Sequence, residues 1–401
     1  MDTLNVGKGS FTLSRVPRAG KRPLRAWDAA DEYVLDDLAD LATIEADIEG
    51  ANTIIIGDSF GALACGLASF GPIVINESAA GRQAISENLE ASNLTPEVVA
   101  GVRVQSILDL DETMSDRPFD LVIIKIPKAT PQLVEILHIL RPHLTASTRI
   151  IGAGMAKHIH TSTIDAFEKV IGPTTTSLAK KKARLIQVVL AADRTPRPNP
   201  WPKTWKAHGH TLINHGGGFS PNKLDPGTSL LLDSLRSIDE LIPEDAAIDG
   251  APFRVVDLGC GNGIVGLYLA AIADQAAVEH HVHAVDDSAL AIKAATASWM
   301  ASRPAGAGGV DFHHAHRLVN VLEPASVDLV VVNPPFHEDR VLGDEVAWSM
   351  FVDAHKVLRP GGKLVVVGNR HLAYHAKLKK IFGSANNVGS NAKFVVLEAQ
   401  R

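Results

Sequence analysis

Cysteine is nearly absent: Cys65 and Cys260 are the two thiols in 401 residues. Two thiols cannot build a disulfide framework, so disulfide-stapled secreted classes are excluded and a reducing cytoplasm is the expected compartment. Long apolar runs are also missing. None reaches the roughly 18 residues that span a bilayer, and no membrane partner is expected. The first thirty residues carry Arg15, Arg18, Lys21, Arg22 and Arg25, but no apolar stretch with a cleavage site follows, so no secretory signal is expected. Nor is there a basic excess. Residues 1–200 hold 21 Lys and Arg against 24 Asp and Glu, and residues 201–401 hold 18 against 21. Each half therefore sits at −3, and bulk charge marks neither as a polyanion binder. Residues 151–200 are a local exception, with eight basic and three acidic residues. They include Lys180-Lys181-Lys182-Ala183-Arg184, which reads equally as a solvated edge or as a nucleic-acid patch.

What is present is a globular composition, 46% hydrophobic and 21% charged, in a chain too long for one ordinary core. The stretch RTPRPNPWP at 194–202 places four prolines in nine residues, through which neither helix nor central strand can continue. It predicts a Pro-rich linker over 194–211, between domains at 1–193 and 212–401. Residues 52–190 and 253–398 each alternate short β-branched runs with helical segments, which predicts mainly parallel sheets covered by helices on both faces.

The two halves also match each other. TIIIGDSFGALACGLA at 53–68 aligns with FRVVDLGCGNGIVGLYLA at 253–270, FDLVIIKIPK at 119–128 with VDLVVVNPPF at 327–336, and ILRPHLTASTRIIGAG at 139–154 with VLRPGGKLVVVGNR at 357–370. Three matched segments in one order predict two copies of one Rossmann-like α/β fold, produced by internal duplication.

In the second copy an apolar strand ends in Asp257-Leu258-Gly259-Cys260-Gly261-Asn262-Gly263, and an apolar helix follows. Glycines at such a turn let the backbone approach a ligand closely. A glycine-rich turn alone is weak evidence for any nucleotide, but an acid two residues before the first glycine would meet a cation or amine. That suits the amino-acid end of S-adenosylmethionine better than a pyrophosphate. The next strand, 281–285, ends on Asp286 and Asp287. An acid there accepts from ribose hydroxyls, or else caps the helix expected from Ala289. Cys260 reads as a small filler rather than a nucleophile. In the first copy Ile55 stands for Asp257, Ser59 for Gly261 and Asn76 for Asp286, so that copy is read as degenerate and without cofactor.

Asn333-Pro334-Pro335-Phe336-His337 closes the strand 327–332, at the carboxyl edge where ligands of open α/β sheets bind. An exocyclic aromatic amine is a poor nucleophile because its lone pair is delocalised into the ring. The Asn333 side-chain oxygen and the Pro334 carbonyl can accept from that NH2 group, Pro335 stiffens the loop, and Phe336 offers a face for a planar base. Read alone, Asn-Pro is a turn ending a strand; downstream of a cofactor cradle the four residues read as a catalytic loop. His337 could act as a base, although the amine can lose its proton to solvent. The first copy has Lys125-Ile126-Pro127-Lys128 at this place, with neither amide acceptor nor aromatic platform. Upstream, 212–235 reads as a loop leading into an amphipathic helix, with Phe219, Ser220 and Asp225 expected to face the ligand. No metal centre is expected.

These segments resemble the RsmC/RlmG family of ribosomal RNA guanine-N2 methyltransferases, nearer its large-subunit branch. The resemblance covers nearly the whole chain: IHTSTIDAFEKVIGPTTTSLAKKKARLI at 159–186, NH…FS…LD.G at 214–227, VVDLGCGNGIVGL, VVNPPFH, VAWSMF at 346–351 and NRHLAYHAKLKKIFG at 369–383. It implies two tandem class I methyltransferase domains with seven-stranded sheets, the first having lost catalysis. It further implies methyl transfer from S-adenosylmethionine to guanine N2 in large-subunit rRNA; a monomer is expected. Carried over by motif, Asp257, Gly259, Gly261, Gly263, Asp286 and Asn333 would hold the cofactor, and Asn333 to Phe336 the guanine. Lys180, Lys181, Lys182, Arg184 and His337 would meet RNA, with Arg194, Arg197, Lys203, Lys206, Lys377, Lys379 and Lys380 extending the basic surface. Two departures stand out. The stretch near the adenine reads His314-Ala315-His316 where the family carries an amide, which leaves Ala315 and His316 as the adenine contacts. The family's Phe-Ser-Arg reads Phe219-Ser220-Pro221. The alternatives are a small-subunit rRNA methyltransferase, an adenine-N6 DNA or release-factor glutamine methyltransferase, which usually lack a full degenerate duplicate, and a non-catalytic RNA-binding or ribosome-assembly protein.

Overall fold

The computed structural model describes residues 2–6, 9–16, 24–40, 50–109, 117–236, 241, 251–304, 308–335 and 340–401. The chain divides into two units, Met1–Pro202 and Lys203–Arg401. Each opens with an antiparallel hairpin and continues into a seven-stranded sheet.

In the first unit β1 (Asp2–Val6) pairs with β2 (Gly9–Leu13). The sheet follows with β3 (Thr53–Ile56), β4 (Ile73–Ile75), β5 (Arg103–Gln105), β6 (Leu121–Lys125), β7 (Arg149–Met155), β8 (Thr174–Thr176) and β9 (Ala183–Val188). Its spatial order is β5-β4-β3-β6-β7-β9-β8. In the second unit β10 (Lys203–Ala207) pairs with β11 (His210–Asn214). Its sheet contains β12 (Phe253–Leu258), β13 (His280–Asp286), β14 (Gly309–His314), β15 (Val327–Val332), β16 (Leu358–Asn369), β17 (Asn386–Ser390) and β18 (Phe394–Gln400). The order, β14-β13-β12-β15-β16-β18-β17, repeats that of the first sheet strand for strand. In each sheet the first five strands run parallel, and the last strand in sequence, β9 or β18, pairs antiparallel with the fifth and with the sixth, so it alone runs against the rest. The expected pair of mainly parallel seven-stranded folds is therefore present, and the duplication reaches beyond the three matched segments to the opening hairpins.

Central strands read as unbroken apolar runs because helices cover both faces. Val330 and Val331 of β15 are wholly buried and face opposite sides of the sheet, where they join separate core clusters. Among the described residues no helix is long and apolar enough to cross a membrane.

The division falls after Pro202 rather than across 194–211. Residues 203–211, expected in the linker, lie mostly in the β10–β11 hairpin. Its two-residue turn, His208-Gly209, has both φ angles positive, at 47° and 80°, which matches the right-handed twist of the strands. Ser298 and Ser302 of the helix Ala289–Ser302 accept from the Ile213 and Thr211 amides at 2.8 and 2.9 Å. Those bonds fix the hairpin against the domain and set Asn214 at the edge of the glycine-rich loop.

Candidate active site

The glycine-rich loop leaves β12 and enters the helix Ile264–Gln275 through three left-handed glycines, Gly259 (φ 73°), Gly261 (φ 56°) and Gly263 (φ 81°). A Cβ on Gly261 would meet nothing within 4 Å, so this face of the loop is open. One on Gly263 would press on Ala295 at 3.2 Å, so that glycine also serves helix packing. Asp257 is 2% exposed and accepts from the Gly266 amide at 2.8 Å. Burial, with the nearby charge of Asp286 adding to it, pushes its carboxyl up to about 7. A cationic amine beside it would reverse that shift. The adjoining Asn262 donates to Asn214 Oδ1 at 3.2 Å, and Trp205 donates to the same oxygen at 2.8 Å. Burial holds the Cys260 thiol well above its ordinary range, so it stays protonated.

At the tip of β13, Asp286 accepts from the Gly261 amide at 3.0 Å and the Ser288 amide at 2.8 Å. Ser288, not Asp286, caps the following helix by accepting from Ala291 N. Asp286 thus braces the loop instead of capping, and burial pushes its carboxyl up to about 6. Ala315 N donates to the Asp286 carbonyl at 3.0 Å, which brings the end of β14 beside this acid. His314 Nε2 lies 2.9 Å from the Asp287 carbonyl. His316 follows on the same segment.

Asn333 leaves β15 beside the loop: a Cβ on Gly259 would sit 3.9 Å from the Asn333 carbonyl. The Asn333 side chain donates through Nδ2 to Thr228 Oγ1 at 2.9 Å. Its Oδ1 is buried and has no hydrogen-bond partner among the described residues. One end of the amide is therefore held and the other presents a bare acceptor. Buried acceptors rarely stay unsatisfied without a reason. Pro334 is buried and Pro335 exposed. Phe336 and His337 lie outside the described residues.

Thr228 escaped the sequence reading. It lies in the first turn of the helix Pro226–Arg236, where Asp225 Oδ2 accepts from the Gly227 and Thr228 amides at 2.9 and 3.1 Å. Asp225, expected to face a ligand, is engaged as this helix's cap. Phe219 is half exposed, and its carbonyl lies 3.5 Å from Asn214 Nδ2. The signal that could have found Thr228 is the pattern Asp-x-x-Thr, because the first unit carries Asp28-Ala29-Ala30-Asp31 at the start of its own helix, Ala29–Asp40. There Asp28 Oδ1 likewise accepts from the Ala30 and Asp31 amides, at 2.8 and 3.3 Å.

That equivalence explains the first copy. Lys125 stands where Asn333 stands, and a Cβ on Gly57 would lie 3.3 Å from its carbonyl. Its ammonium donates to Asp31 at 2.6 Å and Asp28 at 2.8 Å, an ion pair with Lys125 and Asp31 side chains 11% and 8% exposed. Burial outweighs the lysine and pushes the Asp31 carboxyl up to about 6. The missing loop acid is not wholly gone. Asp58, three residues later than Ile55, accepts from Gly61 N at 2.9 Å and Ala64 N at 2.8 Å. Ala64 aligns with Gly266, so Asp58 holds the amide that Asp257 holds in the second unit. Asn76 donates to the Asp58 carbonyl at 2.6 Å, closing the loop over itself.

The basic cluster Lys180–Arg184 forms a tight turn into β9, with positive φ at Lys181 and Lys182. Lys180 pairs with Asp36 at 2.8 Å and Lys181 with Glu32 at 2.5 Å. The turn is thus partly neutralised by the helix Ala29–Asp40, through exposed pairs of a kind that contribute little to stability.

Comparison with known proteins matches both units. The RLMG N-terminal domain family matches residues 1–192 and the methyltransferase small domain family residues 209–398. A ribosomal RNA large subunit methyltransferase G of Streptomyces griseus is 40% identical, covering 100% of this chain and 99% of its own length. The protein of the same name from Aeromonas hydrophila is 42% identical over 99% and 98%. Among solved structures, the T. thermophilus 16S rRNA N2 G1207 methyltransferase RsmC, in complex with AdoMet and guanosine, shares the fold over 100% of this chain and 97% of its own. That likeness has a TM-score of 0.70 at 21% identity.

Proposed function

The chain belongs to the ribosomal RNA large subunit methyltransferase G family, and on that premise we propose that its second unit methylates the exocyclic N2 of a guanine in large-subunit rRNA, with S-adenosylmethionine as donor. The observation that carries this reading is the half-satisfied Asn333 amide at the strand end beside the glycine loop. The residues present fit the donor: an open loop face at Gly261, a buried acid at Asp257 whose carboxyl is raised by burial, and a second acid at Asp286.

S-adenosylmethionine supplies an electrophilic methyl group on a sulfonium. Asp257 would hold its amine, Asp286 its ribose hydroxyls, and the Ala315-His316 segment its adenine. Asn333 Oδ1 and the Pro334 carbonyl accept the two N–H groups of the guanine amine, turning its lone pair toward the methyl carbon. Thr228 holds Asn333 Nδ2, so the amide cannot flip and present a donor where an acceptor is needed. Such pre-positioning removes orientational freedom from the attack. Transfer of the methyl group from the sulfonium to nitrogen would leave a neutral thioether, and the proton of the alkylated amine would pass to solvent. The first unit, with Lys180, Lys181, Lys182 and Arg184, contacts RNA backbone and leaves chemistry to the second. The protein acts in the cytoplasm, where its two buried thiols stay reduced.

The test is incubation of rRNA lacking the modification with labelled donor, followed by digestion to nucleosides. N2-methylguanosine is the expected product. N6-methyladenosine, or label on protein alone, would overturn the reading.

A further inference from the structure

Two adjacent strands of the second sheet carry histidines at alternate positions. His281 and His283 lie on β13, and Asp311 and His313 on edge strand β14. Alternate residues of a strand share one face, and the parallel register sets His283 beside Asp311 and Val285 beside His313. His281 Nε2 is 2.9 Å from Asp311 Oδ2, and His283 Nδ1 is 3.6 Å from the same oxygen. His283 Nδ1 is in turn 3.2 Å from His313 Nε2. One donor atom from each of His281, His283 and Asp311 lies within 4.8 Å of the others.

These separations bracket the spacing of a metal's ligands. Bonds of about 2.0–2.1 Å in a tetrahedral arrangement place neighbouring donors roughly 3.3–3.4 Å apart. The glycine opposite His281 in the register makes room for the arrangement. A Cβ on Gly309 would lie 2.1 Å from His281 Nδ1, so any larger residue would displace the ring from its course across β14. The group is reachable from water, with the Asp311 side chain 54% and the His281 side chain 28% exposed. The neighbouring cation, Arg254, directs its guanidinium to the Ser326 carbonyl.

We propose that His281, His283, Asp311 and His313 form a binding site for a divalent transition-metal ion of the zinc, nickel and cobalt class, clipping edge strand β14 to β13. Imidazole nitrogens with one carboxylate select these borderline ions over magnesium and calcium, which favour all-oxygen sets. The site is distinct from the glycine loop and independent of the methyltransferase reading. Its role is structural, joining the strand that ends at Asp286 to the strand that ends at His314.

The test titrates ZnCl2 into untagged, chelator-treated full-length protein by calorimetry, with thermal denaturation in parallel. One zinc per chain and a raised Tm are expected, with neither effect from MgCl2. Outer-shell changes alone alter metal affinity by about 10–100-fold, so His283→Gln with His313→Gln should weaken zinc by about 100-fold or more. The apo Tm of that variant should match wild type. Gly309→Val should weaken zinc as well, by displacing the His281 ring. Zinc uptake unchanged in the double variant, or no uptake by wild type, overturns the proposal. Should the variant misfold, Co2+ bound to unaltered protein decides the matter. Intense visible bands of a low-coordinate, imidazole-ligated ion are expected, and the weak spectrum of the aquo ion overturns it.

Discussion

The same two positions, one at the end of the fourth parallel strand and one near the start of a helix, meet in both halves of the molecule. In the second half they are Asn333 and Thr228, and their single hydrogen bond leaves a buried acceptor bare. In the first half they are Lys125 and Asp31, and with Asp28 they form an ion pair that satisfies itself. The loops beside them differ in the same direction. Around Gly261 the face is open, whereas Asn76 ties down the carbonyl of Asp58. One scaffold therefore yields a receptive site where polar valences remain unmatched and a closed one where they are matched internally. Where the second half keeps an unmatched buried acceptor, the first half holds a buried charge cluster.

Breaking the receptive side should have the largest effect. Asn333→Ala should lower the rate of methyl transfer by about 10²–10³-fold or more, as loss of an oriented polar group at a reacting centre does, while donor affinity changes little. Single-turnover transfer to unmodified rRNA measures it. Breaking the closed side should cost stability instead. Lys125→Met leaves Asp31 buried without its cation and should destabilise the first unit by about 3–5 kcal/mol, read by thermal or urea denaturation. It should create no second donor site. A further sharpening is Thr228→Val, a positioning change. It should reduce kcat by roughly tenfold, about 1.4 kcal/mol, with KM for the donor unmoved, and Thr228→Ser should restore the rate.

The smallest effect is a pH dependence of stability, in which Asp31 of the closed half, pushed up to about 6, adds to the two acids of the receptive half. Asp257 and Asp286 titrate near 7 and 6 in the folded chain, both above their ordinary 3.8. The folded state thus holds protons that the unfolded state has released between about pH 4 and 7. Stability without donor is greatest below that interval and falls as pH rises through it. Binding of a cationic amine needs the carboxylate, so donor affinity should rise over the upper part of the same interval. Denaturation with and without donor, across pH 5 to about 8, should show the two curves diverging. Parallel curves would remove Asp257 from the amine site.

The duplication, the glycine loop and the strand-end Asn333 were legible in the sequence because each is a local pattern repeated at matching places. The clasp was not. Asp31 and Lys125 are 94 residues apart and Asn333 and Thr228 are 105 apart, so only the closed sheet shows that they meet. The shifted acid Asp58 was missed for a different reason. Alignment compares positions, whereas the helix amide it satisfies can be reached from either Asp257's place or Asp58's. The hairpin over 203–214 carried a readable His-Gly turn, overshadowed by the prolines before it. The histidines of β13 were equally visible, but their partners on β14 depend on a register that no local pattern fixes.

The central claim is that the receptive half alone holds the methyl donor. Calorimetric titration of the full chain with S-adenosylmethionine tests it directly, repeated on Asp257→Ala. The account predicts one molecule per chain in wild type and none detectable in the variant. Two molecules per chain, or one that survives Asp257→Ala, would contradict it.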